Sequence, residues 1–398
     1  MSESIIFGLA GSLLYHVPMR DLFQDLRYGL RVFGRNPAFT LIAVLALACA
    51  ATSALAQDYP EVANPKPLFT AIRHDGPSVS PSGKQLVQWN GKFKDHTGET
   101  HTFTMVGTDP ATTNVTTTTT VWIIPVKFVY NASHGNKTFD PNKKKLPNGR
   151  TVTQNTLKSP LFNAGIDFKQ GKTDLGNTQY EDAFQRGTWW GNNVKKNTKY
   201  HVLLKTVLKP EQTIDCTDSS CSVQTVNFGG PSITVGLEDI NVYDAQVQVF
   251  MSKLGVTPDI LPLFIWDDIY LTSGGCCIGG YHGANGAQPG GQTYSNASYA
   301  DVVGVFSQDV SAMSHELGEW VDDPFTDNGV NCPQDNNILE VGDPLEGTSN
   351  FGGYPYKLNG FTYNLQSLVF MTYFGAPANT SANKWFAFQN DIGVCPGQ

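Results

Sequence analysis

Residues 315–319 read His-Glu-Leu-Gly-Glu, inside a stretch from 307 to 321 whose apolar residues recur at helical spacing. No other feature constrains the fold of this chain as tightly. Positions 315 and 319 are four apart, so on a helix their side chains point the same way, one turn above the other. One imidazole nitrogen and one carboxylate oxygen then come within reach of a single metal ion, with Glu316 beside them as a proton acceptor. On a wheel of about 100° per residue, Val310, Met313, Leu317, Trp320 and Val321 form one apolar stripe. His315 and Glu319 lie nearly opposite, with Gln308, Ser311 and Ala312. That second face lacks Lys and Arg, so it predicts a cleft floor rather than an open surface.

A catalytic zinc takes three protein ligands, so a third must come from elsewhere. The segment Ile338-Leu-Glu340-Val-Gly-Asp343-Pro supplies two carboxylates in an otherwise apolar, turn-forming stretch. Glu340 is the first choice and Asp343 the second. His282, in a glycine-rich segment upstream, is a third possibility as ligand or substrate contact. A set of one His and two carboxylates puts two negative charges on a divalent ion, which makes it a weaker Lewis acid than a set with one. Hydrolysis also needs a donor for the developing oxyanion. Tyr354, Tyr356 and Tyr363 offer hydroxyls; Tyr363 joins Glu316 in the catalytic set, with aromatic core as the competing role.

The His-Glu-x-x-Glu run is similar to the His-Glu-x-x-His of zincin metallopeptidases, with Glu319 where their second His stands. The resemblance implies a zinc or other divalent cation, Glu316 as base, and a peptide or protein substrate. It also implies an α+β fold: a mixed sheet with backing helices, an active-site helix under a cleft, and an irregular C-terminal part. The block from Ser314 to Phe325, with residues 179–186, 274–277 and 340–344, resembles a group of exported bacterial proteins without an assigned reaction. That resemblance spans about residues 120 to 375 and implies export and shared architecture. A non-catalytic extracellular binding or structural protein on the same scaffold is the competing functional class.

Export is also legible at the N-terminus. Arg20, Arg27, Arg31 and Arg35 precede an apolar run over 38–50 and an Ala54-Leu-Ala56 cleavage signal, which predicts a leader over 1–56 and a secreted or periplasmic product. Met19 is an alternative start, and an uncleaved membrane anchor is the alternative reading. Residues 25–41 resemble the amino-terminal segment of macrolide-export ABC-transporter permeases. That likeness ends with the leader, because no later stretch has the ~18 apolar residues of a second span.

Beyond the leader the chain is net acidic and contains six cysteines. The charge balance disfavours nucleic acid and anionic membranes as partners, and an even cysteine count in an exported chain predicts disulfides. Cys216 with Cys221 is the easiest pair, and oligomeric state is not legible. Alternation predicts strands near 85–89, 101–106, 121–130, 200–205, 232–236 and 260–271, with Pro125 demoting 121–130 toward an edge or a bulge. Helical spacing marks 179–190 and 242–254. Residues 131–175 and the eight-glycine stretch 274–291 read as loop and flexible crossing segment. The predicted organisation is a leader over 1–56, an extended arm with a hairpin over 57–120, and a zincin-like domain over 121–398.

Overall fold

The computed structural model describes residues 4–7, 15–18, 68–76, 82–170, 172–196, 199–227, 232–300, 308–333, 336–345, 353–389 and 395. The chain divides into two compact units, Met1–Asp58 and Tyr59–Gln398. In the first, β1 (Ser4–Phe7) pairs antiparallel with β2 (Tyr15–Pro18). The apolar run at 38–50 and its cleavage signal lie outside the described residues. Among the described residues no helix is long and apolar enough to cross a membrane.

The second unit begins with β3 (Leu68–His74) and the hairpin β4 (Gln88–Lys94) and β5 (Thr100–Val106). There follow β6 (Thr116–Tyr130), β7 (Lys137–Phe139), helix α1 (Val152–Leu157), β8 (Ile166–Gln170), β9 (Thr173–Thr178) and helix α2 (Tyr180–Thr188). Next come β10 (His201–Leu208), β11 (Gln212–Cys216), β12 (Cys221–Val226), β13 (Ile233–Asp239) and helix α3 (Ile240–Leu254). The chain continues through β14 (Ile260–Asp267), β15 (Ile269–Thr272), β16 (Cys276–Asn285), β17 (Gln292–Tyr299) and helix α4 (Ser311–Asp322). A hairpin of β18 (Gly353–Leu358) and β19 (Phe361–Gln366) closes the order.

The expected α+β zincin arrangement is not what these elements build. Strand accounts for 43% of the structure against 19% helix, and a large mixed sheet curls nearly into a barrel. Its order is β10-β6-β14-β17-β16-β15-β13-β12, with β11 and β7 also on β6 and β3 also on β16. The difference arises in segments whose polar or glycine-rich composition reads as loop. Residues 274–291 hold β16, which pairs with β17, β15 and β3; residues 131–175 hold β7, α1, β8 and part of β9. A sheet covered on both faces needs small residues where neighbours press in, and glycine then marks close approach rather than flexibility.

Strand β6 shows why proline did not push it to an edge. Its first half pairs with β10 up to Ile123, and its second half pairs with β11 from Val126. Pro125 falls between the two ladders, where a missing N–H costs no bond to either partner, while β14 runs along the other side. At the end of β6 the Tyr130 hydroxyl donates to the Leu237 carbonyl of β13 at 3.2 Å, drawing the two ends of the sheet together. The Cys216–Cys221 disulfide joins β11 to β12 at the same seam. Cys276 pairs with Cys277 and Cys332 with Cys395.

Alternation along β6 and β14 splits the core. Ile124, Val126, Phe128, Phe264 and Trp266 pack with Tyr243, Val247 and Phe250 of α3 on one face. Val121, Ile123, Leu263 and Ile265 pack with Leu317, Val321 and Phe184 on the other. On that second face α4 lies among β16, β17, β19, β5 and α2. The β4–β5 hairpin therefore belongs to the same core as the domain after it, and Thr104 and Asn328 exchange two hydrogen bonds of 2.8 Å.

Candidate metal centre

Every residue of α4 from Ser311 to Asp322 is buried. The face carrying His315 and Glu319, expected at a cleft floor, is instead covered by β16, by residues 338–343 and by Phe69, whose ring stacks on that of His315 at 3.7 Å. Two glycines make this possible. A Cβ at 342 would overlap the His315 ring, and one at 280 would sit 2.8 Å from the Glu316 carboxylate.

Of the residues singled out in the sequence, His315, Glu316, Glu319, Glu340, Asp343 and His282 converge. His315 Nε2 lies 2.8 Å from Glu319 Oε1 and 3.3 Å from Asp343 Oδ1. His282 Nδ1 lies 3.4 Å from Glu316 Oε2 and 3.7 Å from Glu319 Oε2. Ligand atoms of His315, Glu316 and Glu319 fall within 4.8 Å of one another, and so do those of His282, Glu319 and Glu340. Glu319 thus belongs to both sets. Asp343 is the one member with appreciable exposure, at 27% of its side chain.

Tyr363 is placed differently. Its hydroxyl donates to the Asn155 carbonyl at 3.1 Å and packs near Arg150. The Tyr356 hydroxyl binds the Gly165 carbonyl, and the Tyr354 ring stacks on Phe388. Neither the Tyr363 nor the Tyr356 hydroxyl is directed at a cluster residue by these bonds.

Neighbouring groups fix the tautomer of each histidine. Gln366 donates its amide Nε2 to the Gly342 carbonyl at 2.9 Å, so its Oε1 is the acceptor that takes His315 Nδ1–H at 2.6 Å. His282 donates Nε2–H to the Asp323 carbonyl at 3.2 Å. Each ring therefore turns its other nitrogen toward carboxylates. A metal-binding imidazole is held in this way, with one N–H anchored to an acceptor and the second nitrogen aimed at the site. Gln366 carries no sequence signal of this role; it becomes visible only because the β18–β19 hairpin brings it against α4.

The electrostatics are those of an acid-rich interior. Burial opposes the charge of His315, but the Glu319 and Asp343 carboxylates outweigh it and hold its pKa well above the ordinary histidine value. Burial likewise opposes the charge of Glu319, yet the His315 imidazolium holds that carboxyl below its usual range. Burial lowers His282, leaving it neutral beside acids. Glu340 is raised well above the carboxylate range by burial and then by Glu319, Asp323 and Asp343. Neither Glu340 oxygen has a hydrogen-bond donor. Facing the Glu319 carboxylate, it can bond only through a shared proton or a cation.

A second acidic pair flanks the cluster. Glu181 of α2 and Asp322 of α4 are both fully buried, and burial raises each, Asp322 to about 8. Gln185 donates to Asp322 Oδ1 and accepts from Trp189 Nε1. Asp323 accepts backbone N–H groups of Asp327 and Asn328, which close the turn after the helix.

No family model, no curated protein and no solved structure matches this chain.

Proposed function

We propose that the chain is an exported metal-dependent hydrolase acting on peptides, with a divalent cation held by His315, Glu319 and the downstream carboxylates, and His282 beside them. The observation that carries this reading is the Glu340 carboxylate, buried, without a donor, and facing Glu319 and His282. Burying such a group uncompensated costs several kcal/mol, roughly, whereas a bound cation would offset that cost. Oxygen and imidazole ligands of this mixture suit zinc or manganese. Three cysteine pairs fit the oxidising surroundings of an exported chain.

When bound, the cation supplies stabilisation of the negative charge that builds on the carbonyl oxygen. The chain supplies the rest. Glu316 accepts the proton of the attacking water. His315 and His282 are locked in one orientation by Gln366 and the Asp323 carbonyl. A substrate would approach from the side of Asp343, the exposed member of the set.

The complete burial of Glu316 favours a second reading, a non-catalytic binding or structural protein stabilised by the same cation. One experiment separates them: elemental analysis of purified protein, wild type against Glu319→Ala, followed by casein cleavage with and without chelator. Bound metal with chelator-sensitive cleavage that Glu316→Gln abolishes supports the hydrolase. Bound metal with no cleavage supports the second reading, and no metal in the wild type removes both.

A further inference from the structure

We propose that the cluster is built for a pair of divalent cations bridged by Glu319, rather than for one. This rests on the reading that the cluster binds metal at all, and deepens it by assigning a second cation position to His282 and Glu340.

The argument begins with Glu319. Its two oxygens serve different partners: Oε1 lies toward His315 at 2.8 Å and accepts from the Gly342 N–H at 3.3 Å, while Oε2 lies toward His282 at 3.7 Å. A carboxylate that presents one oxygen to each of two imidazoles has the geometry of a bridge. Each imidazole has one ring nitrogen left for a cation, which in His315 would displace the proton, because the other nitrogen is committed to Gln366 or to the Asp323 carbonyl. A single cation can use one of these nitrogens well, leaving the other aimed at carboxylate oxygens with nothing between.

The distribution of acids matches. His315, Glu319 Oε1 and Asp343 Oδ1 make one set. His282, Glu319 Oε2 and Glu340 make the other, and Glu340 is the independent sign of a ligand there, being buried with both oxygens lacking a donor. Glu316 reaches both, through the set with His315 and through its 3.4 Å approach to His282. Four ionised carboxylates with two neutral imidazoles would balance two divalent charges. Two metals about 3.5–4 Å apart, sharing a carboxylate, form a recurrent hydrolytic centre. The two sets adjoin through Glu319, the residue they have in common.

The test is metal content and coupling in the full chain, read without reference to activity. Purified protein is stripped with chelator, loaded with Mn2+, desalted and assayed for manganese per chain, then examined by electron paramagnetic resonance. The expected result is about two manganese ions per chain with an exchange-coupled spectrum, as a shared carboxylate requires. His282→Gln should lower the content to about one and convert the spectrum to that of an isolated ion; circular dichroism confirms that the variant is folded. One ion per chain in the wild type overturns the pair while leaving the single-cation reading intact. Two uncoupled ions overturn the bridge. No bound manganese or zinc overturns both this proposal and the reading beneath it. The wild-type spectrum decides the matter even if the variant fails to fold.

Discussion

Asp322 offers the sharpest check on how acidic the interior behind α4 is. Its carboxyl is raised from 3.8 to about 8 by burial, with the Gln185 amide working the other way and Asp323 adding to the rise. A carboxyl whose folded pKa lies above its unfolded value binds more protons in the native state than in the unfolded one. Stability therefore falls as pH rises between the two values and levels off above the higher. Each pH unit inside that window is worth about 1.4 kcal/mol per proton, so between pH 6 and 8 this one group costs the fold about 2 to 3 kcal/mol as a ceiling. Asp322→Asn keeps the Gln185 contact, since the amide oxygen can still accept, and removes the titration. Urea unfolding followed by tryptophan fluorescence, at pH 6 and pH 8 in chelator, should show the variant gaining on the wild type by that amount at the higher pH. Asp322 adds to the rise of Glu181, so the variant eases both ionisations and the difference reads the pair together. If wild type and variant lose stability equally between the two pH values, Asp322 ionises normally and the dry, acid-rich description of this flank is wrong.

Further outcomes follow from the same physics. In chelator, Glu340→Gln should match the wild type to within about 1 kcal/mol, because the raised Glu340 carboxyl is already uncharged there and the amide N–H can take its place beside Glu319; in excess zinc the wild type should become the more stable, since ligand binding stabilises only the native state. Thermal melts of both proteins under both conditions check this, and an unchanged difference would count against a cation at Glu340. Gly342→Ala places a methyl group on the His315 ring and should cost about 1–3 kcal/mol by overpacking, measurable by urea unfolding. Removing the Cys332–Cys395 bridge, which spans 63 residues, should cost up to about 4 kcal/mol through the entropy of the unfolded chain. Denaturant titration of the double Cys→Ser variant reads this directly.

Three of the four helices were open to sequence reasoning through the helical spacing of their apolar residues, α1 being the exception: α3 begins two residues before the expected 242–254, and α4 spans Ser311–Asp322 within a residue or two of the predicted end. The site residues on α4 were legible through the spacing of 315 and 319. Strands β6, β10, β13, β14 and β15 of the sheet were legible near their positions, whereas β16 and β17 were not, for reasons specific to their residues. β16 contains Gly279, Gly280 and Gly283, and β17 reads Gln-Thr-Tyr-Ser-Asn-Ala-Ser-Tyr. Neither looks like a strand, because the face they cover needs small and polar groups beneath Glu316 and Trp320. The Trp320 Nε1–H donation to Thr293 Oγ1 at 2.9 Å shows what those hydroxyls serve. The burial of the polar face of α4 was hidden for a related reason. A lack of Lys and Arg on that face signalled only that bulk solvent was not its partner. Whether the cover would be a ligand or the protein's own strand depended on contacts between residues 34 apart, His282 and Glu316.

The cluster draws on three stretches of chain, β16, α4 and residues 338–343, that are remote in sequence, so it is complete only once their long-range contacts have formed. Four carboxylates among them repel as they close, so the last docking step meets an electrostatic barrier that the secondary structure alone does not create. Refolding at neutral pH without divalent ions should stall with β16 and α4 formed and residues 338–343 still detached, while mild acid or added metal should let the segment close.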